Sequence, residues 1–255
     1  YYNEIVCDPA DVDKIYSTET VTKVTLDGGK TWNAVGLKAR HVDDHAIWID
    51  PTDTKHFMIG GDGGIYETYD SGENFRHISN LSVTQFYRVG LDNSEPFYWI
   101  YGGTQDNNSM GGPSNSVRAD GVPSENWITT IGGDGFFNRI DPKNPNIVYS
   151  ESQYGNISRF DKLSGEQLFI RPQPAKGELT YRWHWNSPFI ISHHNNEQLY
   201  MAANKVFRTN DRGHSWKTIS DDLTAQLDRT NTWQVMGKYW PTDAIAKDVS
   251  TSLFG

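Results

Sequence analysis

Short apolar runs recur along this chain, each closed by a polar or glycine-containing turn. Ile5-Val6-Cys7, Ile15-Tyr16, Phe57-Met58-Ile59, Phe97-Tyr98-Trp99-Ile100, Ile147-Val148-Tyr149 and Leu199-Tyr200-Met201 are representative. None approaches the roughly ten residues over which a helical period declares itself, and β-branched and aromatic side chains dominate them. The pattern predicts many short strands joined by tight connections.

The turns between them repeat. Thr25-Leu26-Asp27-Gly28-Gly29-Lys30-Thr31-Trp32, Thr68-Tyr69-Asp70-Ser71-Gly72-Glu73-Asn74-Phe75 and Thr209-Asn210-Asp211-Arg212-Gly213-His214-Ser215-Trp216 all read Thr-x-Asp-x-Gly-x-x-aromatic. An Asp carboxylate can collect backbone N–H groups in such a turn, Gly takes the left-handed position, and the aromatic is expected to pack on the next strand. Structural roles are therefore assigned to Asp27, Gly29, Trp32, Asp70, Gly72, Phe75, Asp211, Gly213 and Trp216. A worn copy stands at Asp161 to Gly165, and an enlarged loop is expected near residues 108–120. A second marker keeps step: Asp8-Pro9, Asp50-Pro51 and Asp141-Pro142 each separate two apolar runs, with Asp92-Asn93 and His193-His194 in the equivalent places.

Each unit reads strand, Asp-Pro turn, strand, tight connection, strand, Asp/Gly turn, strand. Four strands in about 45 residues, repeated five times, predict an all-β fold of the β-propeller type. A sandwich has similar strands but no reason for a repeating turn. The expected blades span approximately 1–36, 41–80, 84–130, 133–172 and 184–220, with 221–255 an inter-blade insertion or linker carrying a short helix over Asp243 to Val249. Both ends read as cut, so about five blades of a larger propeller are expected.

Composition narrows the function. Among 255 residues, nine Trp and 23 Gly supply the aromatic and turn positions of the repeat. No run approaches the ~20 apolar residues of a membrane-spanning helix. A formal charge of -9 without a compensating basic cluster disfavours nucleic acid as a partner. The single cysteine, Cys7, excludes an intrachain disulfide and is expected to be buried.

Candidate chemistry concentrates at the predicted starts of the innermost strands. Seven positions before each Asp-Pro marker or its stand-in lie Asp43, Gln85, Asp134 and Asn186, with His41, Asp44, His45 and His184 beside them. The neighbouring connections add Asp62, Gln105, Asp106, Glu151 and Gln153. All could converge on one channel mouth as a peptide- or glycan-binding site. His41 to His45 offers nitrogen and oxygen donors at metal-ligand spacing, but a wet channel lining explains it as well, and no metal or other cofactor is expected. Asp43, Asp134 and Glu151 are the candidates for acid–base work, since glycoside hydrolysis uses paired carboxylates. Gly60-Gly61-Asp62-Gly63-Gly64 lacks the Lys-Ser/Thr of a phosphate loop.

The repeated turn resembles the Asp-box, or bacterial neuraminidase repeat, of sialidases, xyloglucan-degrading glycosidases and sortilin/Vps10 propellers. Similarity is closer to large bacterial proteins described as sortilin N-terminal-like or glycosyl-hydrolase-like, over His41 to Asp50, Gly60 to Tyr69, Tyr101 to Asn108, Gly132 to Pro142 and Asp211 to Trp216. The resemblance implies a secreted or cell-envelope protein. Its partners would be a peptide or glycan ligand and the remaining blades and domains of the parent chain. It places neither the sialidase arginine triad nor either xyloglucanase acid on a residue here. The first expectation is thus a non-catalytic binding or scaffolding propeller, and the alternative a polysaccharide-active glycoside hydrolase.

Overall fold

A computed structural model describes residues 4–36, 38, 40–81 and 84–226, with the backbone of 234–235 and 238–239. It is all-β and divides into two compact units, Tyr1–Thr84 and Gln85–Gly255. The first unit holds two sheets: β1 (Ile5–Cys7), β2 (Ile15–Ser17), β3 (Lys23–Thr25) and β4 (Asn33–Ala34), then β5 (Asp44–Ile49), β6 (Phe57–Gly61), β7 (Gly64–Thr68) and β8 (Arg76–His77). The second holds three. They are β9 (Arg88–Leu91), β10 (Trp99–Gly103), β11 (Ser109–Pro113) and β12 (Ile128–Ile131); β13 (Asn138–Ile140), β14 (Ile147–Ser152), β15 (Asn156–Asp161) and β16 (Gln167–Phe169); and β17 (Phe189–Ile191), β18 (Leu199–Ala202), β19 (Val206–Thr209) and β20 (Lys217–Thr218). A short pair, β21 (Gln234–Val235) and β22 (Lys238–Tyr239), follows. All five four-stranded sheets are antiparallel meanders resembling propeller blades.

The two sequence markers correspond to two repeated hydrogen-bond patterns. Between the first and second strands of four sheets, the N–H groups of Asp8, Asp50, Asp141 and Ser192 donate to the carbonyls six residues on, those of Lys14, His56, Ile147 and Gln198 (2.8–3.0 Å). Ser192, rather than the His193-His194 pair, thus takes the Asp place in the fifth sheet. In the second pattern, Thr25, Thr68 and Thr209 each donate a hydroxyl to the Asp two residues on (2.7, 2.8 and 2.6 Å). Each hydroxyl oxygen also accepts an N–H, from Gly29, Gly72 or Gly213 (2.9, 3.1 and 3.0 Å). These three glycines have φ of 92°, 90° and 90°, a region closed to most side chains. The Asp then accepts the N–H four residues on, from Thr31, Asn74 or Ser215 (2.8, 2.9 and 2.9 Å).

Because these bonds favour the ionised form, Asp211 is held down at about 2. Its contribution is therefore complete above the usual carboxylate range and is lost as pH falls toward 2. Asp211→Ala should cost on the order of 1 kcal/mol at pH 7 and progressively less as pH falls through about 2, measured by urea denaturation.

Alternate strand residues build the cores. In the first unit Tyr16, Val35, Ile49, Phe57 and Ile59 pack together, with Phe75 against them. In the second, Tyr149, Ile157, Ile170, Trp183, Phe189, Leu199, Met201 and Phe207 join the fourth and fifth sheets. Each such side chain stabilises by roughly 1.5–3 kcal/mol relative to exposure. The returning aromatics divide: Trp216 donates its indole N–H to the Ile170 carbonyl (2.6 Å), while Trp32 bonds back to Gly29 in its own turn (3.1 Å) and stays exposed.

Cys7 is exposed rather than buried. On edge strand β1 the side chain of Val6 packs on the core, so those of Ile5 and Cys7 take the opposite face. Residues just after 220 are not loose: Leu223 N–H donates to the Asn204 carbonyl (2.8 Å), and Asp222 pairs with Arg182 (2.8 Å). The helix expected over Asp243 to Val249 lies outside the described residues. No helix among them is long and apolar enough to cross a membrane.

Candidate functional site

The first-unit candidates lie around Gly60 to Gly64. A Cβ on Gly61 would sit 2.3 Å from the Asp43 carbonyl oxygen, and one on Gly63 would sit 2.2 Å from His41 Cβ. These glycines let residues 41–44 approach the β6–β7 connection, where Asp62 N–H donates to the Asp43 carbonyl (3.1 Å). His45 Nε2 and Asp62 Oδ1 are 2.8 Å apart, and His41 Nδ1–H donates to the Val42 carbonyl (2.6 Å). Asp44 has a different job. Buried, it pairs with Arg40 and accepts the Thr22 hydroxyl (2.6 Å), tying the entry of β3 to the start of β5.

The second unit assembles a denser site from the third and fourth sheets. The connection after β10 supplies Gln105 and Asp106, the entry to β13 supplies Asp134, and the turn after β14 supplies Gln153 and Tyr154. Backbone proximity makes this possible: Gly103 and Gly135 meet without intervening side chains, and Gly135 N–H donates to the Thr104 carbonyl (3.0 Å). Asp134, 2% exposed, then accepts the Asp106 N–H on Oδ1 (2.5 Å) and the Gln153 amide on Oδ2 (2.8 Å). The Asp106 carboxyl also hydrogen-bonds to Asp134.

Contact with a second carboxyl disfavours ionisation of Asp134. Burial is the main cause of the raised Asp134 pKa, and the neighbouring Asp106 adds to it against the lowering effect of the Asp106 N–H and the Gln153 amide. Gly133, at φ 96°, leaves room for the Gln153 carboxamide, which would stand 2.5 Å from a Cβ there.

Aromatic rings wall this group. Tyr87 stacks on Phe136 (5.4 Å between centroids, 4° between planes), Phe136 meets Trp185 edge-on (6.3 Å), and Trp185 meets Tyr154 edge-on (4.9 Å). Tyr87 and Trp185 are each 38% exposed. Tyr87 also donates its hydroxyl to the Gln105 side chain. Tyr154 adopts a left-handed backbone (φ 59°), its N–H donating to the Trp185 carbonyl (3.1 Å). That constraint fixes the two rings together.

Not every predicted residue joins. Gln85 is exposed ahead of β9, and His184 bonds within its own loop, where its Nδ1 accepts the Asn186 N–H (3.2 Å). Glu151 lies beneath the surface at 0% exposure, with Oε1 accepting the Ser187 N–H (2.6 Å). Sequence reading missed Tyr87, Phe136 and Arg171. The first two sit in ordinary strand-flanking positions, and nothing in the pattern marks them.

No family model matches the chain, and no curated protein does. Among solved structures it is similar to the GH74 xyloglucanase from Xanthomonas campestris, at 15% identity and TM-score 0.35 over 87% of this chain and 38% of that one. A GH74 enzyme from Niastella koreensis matches at 14% identity and TM-score 0.35, over 85% of this chain and 38% of that one. YCF48 bound to D1 peptide matches at 13% identity and TM-score 0.37, over 88% of this chain and 68% of that one. The chain thus spans well under half the length of the two GH74 proteins.

Proposed function

We propose that this chain is part of an exported β-propeller with Asp-box turns, and that its second unit carries a glycan-active site. One observation supports this above the others: the buried Asp134 carboxyl, its pKa raised by burial and by contact with Asp106, lies among the half-exposed rings of Tyr87, Tyr154 and Trp185. Flat apolar sugar faces stack on such rings, and a carboxyl protonated above its ordinary range can donate to a sugar hydroxyl or a glycosidic oxygen.

The pair is too close to be the two opposed catalytic carboxylates of a glycosidase, which stand about 5–9 Å apart with the sugar between them. In this reading Asp106 and Asp134 therefore act as one unit, the acid side of the reaction. The opposing base or nucleophile comes from elsewhere in the parent protein. A purely scaffolding role gives no reason for a buried carboxyl held against a second one beside exposed rings.

Titration calorimetry against soluble polysaccharides and a peptide library tests the reading. Trp185→Ala should weaken glycan binding about tenfold or more, and Asp134→Asn should flatten its pH dependence across the acid range. Capture of peptides alone, or glycan binding indifferent to both substitutions, would overturn it.

A further inference from the structure

Acidic residues outnumber basic ones in this chain by 32 to 23, and its well-buried cations have found carboxylates. Lys14 pairs with Asp8 (2.9 Å), Arg40 with Asp44 and Lys162 with Asp92 (2.9 Å). Arg171, half-buried beside the site, differs from these three. Among the described residues it makes no ion pair. Its one side-chain hydrogen bond runs from Nη1 to the Tyr154 carbonyl (3.2 Å), and the guanidinium lies 5.9 Å from the centroid of the Trp183 ring. Desolvation without a compensating negative charge lowers its pKa, although an arginine stays charged there. The position is fixed from below, because Trp183 is packed against Gly155, where a Cβ would stand 2.3 Å from the ring.

This cation borders the site already described. The carbonyl it holds belongs to Tyr154, whose ring meets Trp185 and whose N–H donates to the Trp185 backbone. A guanidinium has five donors in a planar fork suited to a carboxylate, and here four N–H groups remain for one.

We infer that the glycan is an acidic one: a uronic-acid carboxylate pairs with Arg171 while the sugar face rests on Trp185. The inference rests on the glycan reading and specifies its substrate class. The Asp106–Asp134 pair is compatible with such a ligand, since burial and contact disfavour the charged form of Asp134 and so weaken its repulsion of an anion. The chain's net charge of -9 sets a limit in the other direction: it tolerates one well-paired carboxylate per sugar and repels a densely sulfated polymer.

The test compares polygalacturonate and alginate with their methyl esters, which keep the sugars and mask the carboxylates. Wild type should bind the acids at least tenfold more tightly than the esters, with the gap narrowing as salt rises. Arg171→Gln should close that gap by weakening acid binding at least tenfold more than ester binding, and Arg171→Lys should preserve part of it. Thermal melts check that both variants fold. Equal, Trp185-dependent binding of acid and ester would overturn the inference and leave the glycan reading standing, as would a preference for a sulfated polymer. Failure to bind any glycan would remove both.

Discussion

Glu151→Gln is expected to stabilise the protein at neutral pH, against the usual direction for a change at a fully buried position. The Glu151 side chain is 0% exposed, Oε1 accepts the Ser187 N–H, and Oε2 has no hydrogen-bond partner among the described residues. Burial pushes its pKa up to about 9 from an ordinary 4.5. The sign follows from proton counts. Below the unfolded value both states hold the proton, and the group is neutral in stability. Between that value and about 9 the folded protein keeps a proton that the unfolded chain releases, so stability falls by about 1.4 kcal/mol per pH unit. At pH 7 the accumulated loss is about 3 kcal/mol.

Glutamine keeps an acceptor for Ser187 and cannot ionise. The variant and wild type should therefore melt together near pH 4 and diverge as pH rises. At pH 7 the variant should melt about 6–12 °C higher for a chain of this size. Parallel melting curves from pH 4 to 8 would show that Glu151 is ionised in the fold. The same burial keeps Glu151 from touching a ligand, so its role is to join the fourth and fifth sheets at Ser187.

What the sequence could and could not announce follows from where each interaction lies. The turns were legible because they are local: Thr209, Asp211, Gly213 and Ser215 satisfy one another within seven residues. Individual candidates could be named for the same reason: Asp134 from its spacing before an Asp-Pro marker, and Asp106 and Gln153 from the polar connections beside it. Their union was not legible. It depends on Gly103 meeting Gly135 across two sheets, and no periodicity encodes that approach.

Face assignment failed on β14, where five of six residues are buried and alternation disappears, so Glu151 looked like a channel residue. On β1 the run Ile5-Val6-Cys7 is apolar throughout, so the sequence does not mark which face Cys7 takes, although the strand alternates in the fold. Arg171 was invisible for another reason. Its importance lies in making no ion pair among the described residues, a property of the packed structure and not of the pattern.

Gly103→Ala should be the most damaging single methyl in the second unit. Gly103 is the last residue of β10, paired with Ser109 on one side and Arg88 on the other. Conformation is not the obstacle, since its φ lies outside the positive range that restricts other glycines here. Space is. An added Cβ would stand 2.1 Å from the Gly135 carbonyl carbon, 2.3 Å from its oxygen and 2.4 Å from the Phe136 nitrogen. All three are backbone atoms, so no side chain can rotate aside, and the third and fourth sheets must part. Overpacking by a methyl usually costs ~1–3 kcal/mol, and an overlap with backbone belongs at or above the top of that range.

Parting the sheets also stretches the Gly135–Thr104 bond and separates the Asp106 N–H from Asp134. The variant should therefore lose glycan affinity by a larger factor than Asp134→Asn alone. Gly60→Ala is the matched control: it too lies in a strand without positive φ, and nothing stands within 4 Å of its added Cβ. That substitution should change stability by less than about 1 kcal/mol. If both alanine variants unfold at the same denaturant concentration, the close approach of the two sheets is wrong, and with it the geometry that unites Asp106, Asp134 and Gln153.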